Sequence, residues 1–271
     1  MGRRMLNHGK RNILGILIDA VDYEGAVEAI ILAAKEKREI AVSALAVHGL
    51  MTGVLDSEQK FRLNRFDLLV PDGQPVRWVL NWLHGMRLPD RVYGPNLTLK
   101  LCERAAAEGL PVFFYGSTDE ILTALKQSLE RRFPRLVVAG MEPSKFRRLL
   151  PAEKNELAER IRSSGARLAF VGLGCPRQEA FAYEFRESLA VPILAVGAAF
   201  PFLAGKIPQA PLWMQSNGLE WLFRLTKEPG RLWRRYLFLN PVYVLLVALQ
   251  ALGISKFSTD GQCPSGELLY G

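Results

Sequence analysis

Short apolar runs alternate along this chain with longer stretches in which apolar residues recur every three or four positions. The runs at 13–18, 40–47, 66–70, 112–115, 136–139, 168–171 and 193–196 have few polar breaks, and several are rich in Val and Ile. That pattern predicts strands buried on both faces of a parallel sheet. The amphipathic stretches at 23–37, 96–108, 119–132, 153–163 and 177–189 predict helices between them. Ser117-Thr118-Asp119-Glu120 has the form of a helix start, with acids in the first turn. Strand–helix alternation of this kind predicts an α/β fold, a Rossmann-like and mostly parallel sheet with helices on both faces. No internal repeat is evident.

The alternation stops near Gly205. Pro208 and Pro211 follow, then a predicted helix from Trp213 to Leu225 closed by Pro229, and a second helical stretch interrupted at Asn240-Pro241. We therefore divide the chain into an α/β body at 1–206, a C-terminal helical appendage at 207–257 and a loose polar tail at 258–271. The segment 237–254 is uncharged and mostly apolar. At 18 residues it lies at the lower edge of what crosses a bilayer, and it contains Asn240, Pro241 and Gln250. It reads as a surface-lying or re-entrant helix, ahead of a packed helix and of a true span.

Charge sharpens this division. The chain has 271 residues and a formal net charge of +8. Seven Lys/Arg against two Asp/Glu fall between Lys206 and Lys256, with Trp213, Trp221 and Trp233 in the same stretch. Basic, aromatic and apolar residues together suit an anionic membrane surface or a partner both apolar and negatively charged. Charge concentrated at one end argues against nucleic acid bound along the whole surface. Cys102, Cys175 and Cys263 are odd in number and widely spaced, so neither a disulfide framework nor a zinc knuckle is expected. Residues 1–11 carry four Lys/Arg, but the apolar run behind them is broken by Gly15 and closed by Asp19, too short for a signal-peptide core. An intracellular protein is the expectation.

Three places could carry chemistry. At Leu69-Val-Pro-Asp72-Gly73-Gln74-Pro75 a strand ends, a carboxylate stands beside Gly, and a helix begins. Ligands of open α/β sheets bind at that edge, and a lone carboxylate there can take a proton from a hydroxyl nucleophile; Asp72 can equally be a helix cap. At Phe170-Val-Gly172-Leu-Gly174-Cys-Pro176-Arg177-Gln178-Glu179 a strand runs into G-x-G and a helix start, which suits phosphate at a helix N-terminus. A tight strand-to-helix turn explains the same residues, and the full dinucleotide fingerprint is missing. Gln178 and Glu179 can read a base or sugar, or face water. The third place is the arginine set Arg91, Arg224, Arg231, Arg234 and Arg235. An enzyme that expels a nucleoside diphosphate must offset negative charge with a metal or with fixed cations. The chain has no D-x-D and no His/Asp/Glu cluster, so we expect no metal and no other cofactor, with guanidinium groups in that role; a basic face against lipid headgroups is the alternative. His48 follows a strand and can line the site or serve structure.

Several ordered blocks carry a resemblance: Pro71-Asp72-Gly73, Arg91-Val-Tyr-Gly94, Val171 to Glu179, Val196-Gly-Ala-Ala-Phe200 with Ala204-Gly205-Lys206, Ala210-Pro-Leu-Trp-Met-Gln215, and Gly218-Leu-Glu-Trp-Leu-Phe-Arg224 through Glu228-Pro to Arg231-Leu-Trp-Arg-Arg-Tyr236. Over about residues 13–240 the chain resembles the WecG/TagA/CpsF family of bacterial glycosyltransferases. The resemblance implies inverting, metal-independent transfer of a hexosyl or N-acetylhexosaminyl unit. The donor would be a UDP-sugar and the acceptor an undecaprenyl-diphosphate-linked saccharide, in surface or exopolysaccharide synthesis at the cytoplasmic face of the inner membrane. It makes Asp72 the candidate base and places Gly73, Gln74, Gly116, Gly172, Gly174, Pro176, Arg177, Gln178 and Glu179 in or near the substrate pocket. It closes the C-terminal arginines, Arg224, Arg231 and Arg234, over the diphosphate, has the appendage hold the membrane, and implies self-association. Many members carry a Thr and an Asn after the strand that here reads Val42-Ser-Ala-Leu-Ala-Val-His48. This chain offers Ser43 and no Asn, with His48 to fill the space. A nucleotide-dependent oxidoreductase of doubly wound fold and a membrane-docked scaffold without catalysis are the rival readings.

Overall fold

The structure, a computed structural model, describes residues 5–271; the side chains of Arg231, Arg234 and Arg235 lie outside the described residues. The chain opens with a hairpin, β1 (Asn7–Ile13) and β2 (Ile16–Val21). The sequence pattern predicts one strand over 13–18; the turn instead falls inside that run. Leu14 and Gly15 both take positive φ, the conformation that two-residue hairpin turns require. A Cβ on Gly15 would lie 2.5 Å from the Ser258 carbonyl oxygen, so no larger residue fits.

Then follow α1 (Tyr23–Lys35), β3 (Ala41–Leu45), α2 (Val47–Leu55), α3 (Ser57–Leu63), β4 (Leu68–Pro71), α4 (Gln74–His84), α5 (Gly94–Glu108), β5 (Val112–Gly116), α6 (Asp119–Arg132), β6 (Val138–Glu142), α7 (Pro151–Ser163), β7 (Leu168–Gly172), α8 (Arg177–Leu189), β8 (Ile193–Ala195) and α9 (Ala199–Leu203). The six strands from β3 to β8 form one parallel sheet in the order β4-β3-β8-β7-β5-β6. The expected Rossmann-like α/β architecture is present.

Alternation within the strands feeds two cores. Phe113, Tyr115, Ala169, Val171 and Ile193 pack with α2, α3, α4, α7, α8 and the hairpin. Their neighbours Val112, Phe114, Leu168, Phe170 and Leu194 pack with α1, α5, α6 and α9. Both faces are thus dry, which is why the strands read as continuous apolar runs rather than alternating ones. Connections that run one way along the sheet (α2–α3, α7, α8) lie on one face and those that run back (α5, α6) on the other, as a single crossover hand requires. Asp19 of β2 covers the outer edge of the sheet: its Oδ2 accepts the Leu69 N–H at 2.7 Å and pairs with Lys10 at 2.8 Å. A buried charged group at an edge strand discourages pairing with another chain.

The appendage holds α10 (Leu212–Ser216), α11 (Glu220–Lys227) and α12 (Pro229–Ala251). The single helix expected over 213–225 is split. Gly218, at φ +69°, makes the break, and Trp78 of α4 lies where its Cβ would be. Pro241, expected to interrupt the second helical stretch, sits inside α12. The far half of α12 is bound to the body. Tyr243 and Val247 enter the first core, while Gln250 accepts the Leu14 N–H at 2.9 Å and donates to the Asn12 carbonyl at 3.0 Å. Among the described residues no helix is long and apolar enough to cross a membrane.

The closing segment, read from sequence as a loose tail, is laid along the body. Asn64 donates to the Thr259 carbonyl, the Glu184 carboxylate accepts the N–H groups of Leu268 and Leu269, and the Ser144 hydroxyl donates to the Gly271 carbonyl. Its polar composition hid this, because the partners are side chains far away in sequence.

Candidate active site at the carboxyl edge of the sheet

The strand ends of β3, β4, β7 and β8 and the helices α11 and α12 enclose one cavity of about 420 Å³, large enough for a sugar nucleotide's reacting end. Asp72 follows β4 directly and is half-buried on the cavity wall. The helix-cap reading fails for the helix it precedes: α4 begins without a side-chain cap. Asp72 Oδ1 instead accepts the Gly94 N–H at 2.6 Å, at the first turn of α5. A helix N-terminus favours the ionised acid, yet burial outweighs that bond and the Arg91 charge and pushes the carboxyl up to about 6. Glu220 adds to the rise and Arg224 opposes it. A carboxyl poised there accepts a proton readily near neutral pH.

Opposite stands the G-x-G turn. Gly174, at φ +79°, leads through Pro176 into α8. The carboxamide of Gln178 is held at three points. Its Oε1 accepts the Gly174 N–H at 3.2 Å, its Nε2 donates to Glu179 Oε1 at 2.9 Å, and Gly197 leaves no room beside it. Glu179 is buried, and burial raises its pKa against the bonds from Gln178 and Ser43. It does not face water.

Arg91 is almost fully buried. Its guanidinium lies 4.2 Å from the Tyr93 ring centroid and forms an ion pair of 2.6 Å with Glu220. Burial disfavours its charge, but Glu220 and Asp72 outweigh that and raise its pKa. Arg224 lines the same cavity, with its guanidinium 5.9 Å from the Phe202 ring centroid.

The structure thus brings together Asp72, Gly73, Gln74, His48, Arg91, Gly172, Gly174, Gln178, Glu179 and Arg224 around one cavity. Four expected residues do not line it. The Ser43 hydroxyl is turned inward and donates to Glu179 at 2.9 Å. A Cβ on Gly116 would meet the Gly172 carbonyl at 2.9 Å, so this glycine serves strand approach. Pro176 is exposed, and Arg177 is exposed with its guanidinium 5.9 Å from the Tyr270 ring centroid. The calls on Arg231 and Arg234 fall on side chains outside the described residues. Sequence reasoning missed Tyr93, Glu220, Trp221, Tyr236 and Asn240; the first four lie in the quoted blocks, but nothing local assigns them to the site. Among the described residues no three His, Cys, Asp or Glu side chains are grouped to hold a metal ion.

A doubly wound sheet with a ligand cleft over its carboxyl edge, an acid on one wall and a glycine turn on the other defines a class, the α/β enzymes that bind a ligand at a topological switch point. Within it, the chain belongs to the family described as the glycosyl transferase WecG/TagA/CpsF family, whose model matches residues 11–256. Among its relatives is the N-acetylglucosaminyldiphosphoundecaprenol N-acetyl-beta-D-mannosaminyltransferase of Bacillus spizizenii, 30% identical over 201 residues, 74% of this chain and 75% of the relative. The protein is a glycosyltransferase, which sets aside the oxidoreductase and scaffold readings.

Proposed function

We propose that this glycosyltransferase moves a hexosyl or N-acetylhexosaminyl unit from a UDP-sugar to a saccharide carried on undecaprenyl diphosphate, with inversion at the anomeric carbon. Asp72 takes the proton of the acceptor hydroxyl as that oxygen attacks. The bond from the anomeric carbon to the UDP oxygen breaks, and UDP leaves with the electron pair. Arg91 and Arg224 offset the charge on the departing diphosphate, with Arg231 and Arg234 assigned to the same task. The N-terminal end of α8 adds its dipole to them. One observation carries the reading: Asp72 shares a single cavity with the Gly174 turn and with Arg91 and Arg224. The name of the Bacillus spizizenii relative, which specifies a diphosphoundecaprenol-linked acceptor, supports the acceptor class.

In the same proposal the appendage rests on the anionic cytoplasmic surface of the membrane. Trp213, Trp233, Leu237, Phe238, Leu245, Leu252 and Ile254 are exposed, as is Trp82 on α4. Aromatic and aliphatic groups among Lys and Arg suit an interfacial helix. A panel of UDP-sugars tested with diphospholipid-linked mono- and oligosaccharides, with products read by mass, tests the reading. One donor extending such an acceptor by a single sugar is the expected result; no extension with any pair would overturn it.

A further inference from the structure

Glu220 has no role in the reaction as written, yet it stands at its centre. It lies in the first turn of α11 and lines the cavity, and Arg224 lines it one helical turn later on the same face. Its Oε2 pairs with Arg91 at 2.6 Å. Arg91 is otherwise anchored from the appendage by Gln215 of α10 at 3.4 Å, itself tied to the Ala210 carbonyl. On its body side, Arg91 acts on Asp72. One buried guanidinium is therefore paired with a carboxylate from the appendage while it lines the same cavity as a second, Asp72, on which its charge acts.

We propose, resting on the reading of Asp72 as the base, that Glu220 is a positioning residue: it draws Arg91 away from Asp72 when the appendage covers the cavity, leaving the carboxylate free to accept the acceptor proton. Without Glu220 the guanidinium has Asp72 as its acidic partner at the cavity wall. A carboxylate held in such a pair is a weaker base, because the opposite charge favours its ionised form. The same helix then delivers two things at once, an acid that occupies Arg91 and, through Arg224, a cation for the leaving group. Covering the site and arming the base become one event, which keeps the base weak while the cavity is open to water.

The other described groups around Asp72 are Tyr23 from α1, Asp90 and Tyr93 from the segment before α5, and His48 from α2. The two tyrosines are pushed up by burial and carry no charge near neutral pH. Asp90 belongs to the body, in the segment before α5. Glu220 and Arg224 are the two described charges facing Asp72 that arrive with α11.

Full-length Glu220→Gln and Glu220→Asp enzymes, assayed with the active UDP-sugar and acceptor across pH 5 to 9, test this. In the Gln variant the acid limb of kcat moves to lower pH and the plateau falls severalfold, whereas KM for the acceptor changes less. The Asp variant keeps the charge and returns the limb most of the way to its wild-type position. A Gln variant that raises KM with the limb unmoved would make Glu220 a docking contact alone and overturn the proposal, as would a limb moved to higher pH. If the Gln variant loses its fold, an Asp variant that keeps its protease protection but whose limb moves to higher pH overturns it too; a limb at or slightly below the wild-type position with reduced kcat upholds it. Asp72→Asn separates the two layers. A fully active Asn enzyme removes the base and this inference together; an inactive one beside an unmoved limb in Glu220→Gln removes the inference alone.

Discussion

Replacing Asp72 by Asn separates catalysis from stability, with opposite signs. Burial pushes the acid up to about 6 in the folded protein, from the 3.8 of a free side chain. A difference of about two pH units at about 1.4 kcal/mol each means that holding Asp72 ionised in the fold costs roughly 3 kcal/mol. The sign follows from the raised value. The proton is bound more tightly in the folded state, so the cost is fully present above pH 6 and fades as pH falls towards 3.8. Asn mimics the protonated acid, its carbonyl can still accept the Gly94 N–H, and it has no charge to desolvate. The variant is therefore expected to melt higher than the wild type at pH 7.5, by about 5 °C or more for a chain of this size, with the gap closing below pH 4. Transfer is expected to fall by roughly 10²- to 10⁴-fold, the usual contribution of a general base. Scanning calorimetry at pH 7.5 and pH 4, beside product formation read by mass, measures both. A variant less stable than the wild type at pH 7.5 would refute the burial argument, and one with normal turnover would refute the base.

Three further perturbations test other links. Gln250→Ala leaves the buried Leu14 N–H without its acceptor and should lower stability by about 1–3 kcal/mol, read by urea denaturation. Gly116→Ala places a Cβ 2.9 Å from the Gly172 backbone at φ +108°; strain and overpacking together should cost about 3 kcal/mol or more, seen as a loss of soluble protein or a large drop in Tm. Leu237→Ser with Phe238→Ser removes two exposed apolar groups from α12 and should weaken binding to anionic vesicles roughly tenfold or more while activity on a short, water-soluble acceptor persists; unchanged sedimentation with vesicles would move the membrane contact elsewhere.

By itself the sequence determined the sheet and the chemistry of its rim. Strands dry on both faces must be apolar throughout, so 112–115, 168–171 and 193–196 were readable one residue at a time, and Asp72 and Gly174 stood where strands give way to helices. The hairpin was misread because 13–18 is apolar on both sides of its turn, and only the positive φ of Leu14 and Gly15 shows the reversal. Tertiary structure decided everything set by distant partners. Ser43 looked like a site residue until its hydroxyl met Glu179, 136 positions away. The tail looked loose until Glu184 and Asn64 reached it. Glu220 was passed over in the sequence, and only the fold, through α11, carries it onto Arg91. The physical reason is common to all of these. Burial patterns repeat over a few residues and are written locally, whereas the energy of a buried charge or hydrogen bond depends on which group the fold places beside it.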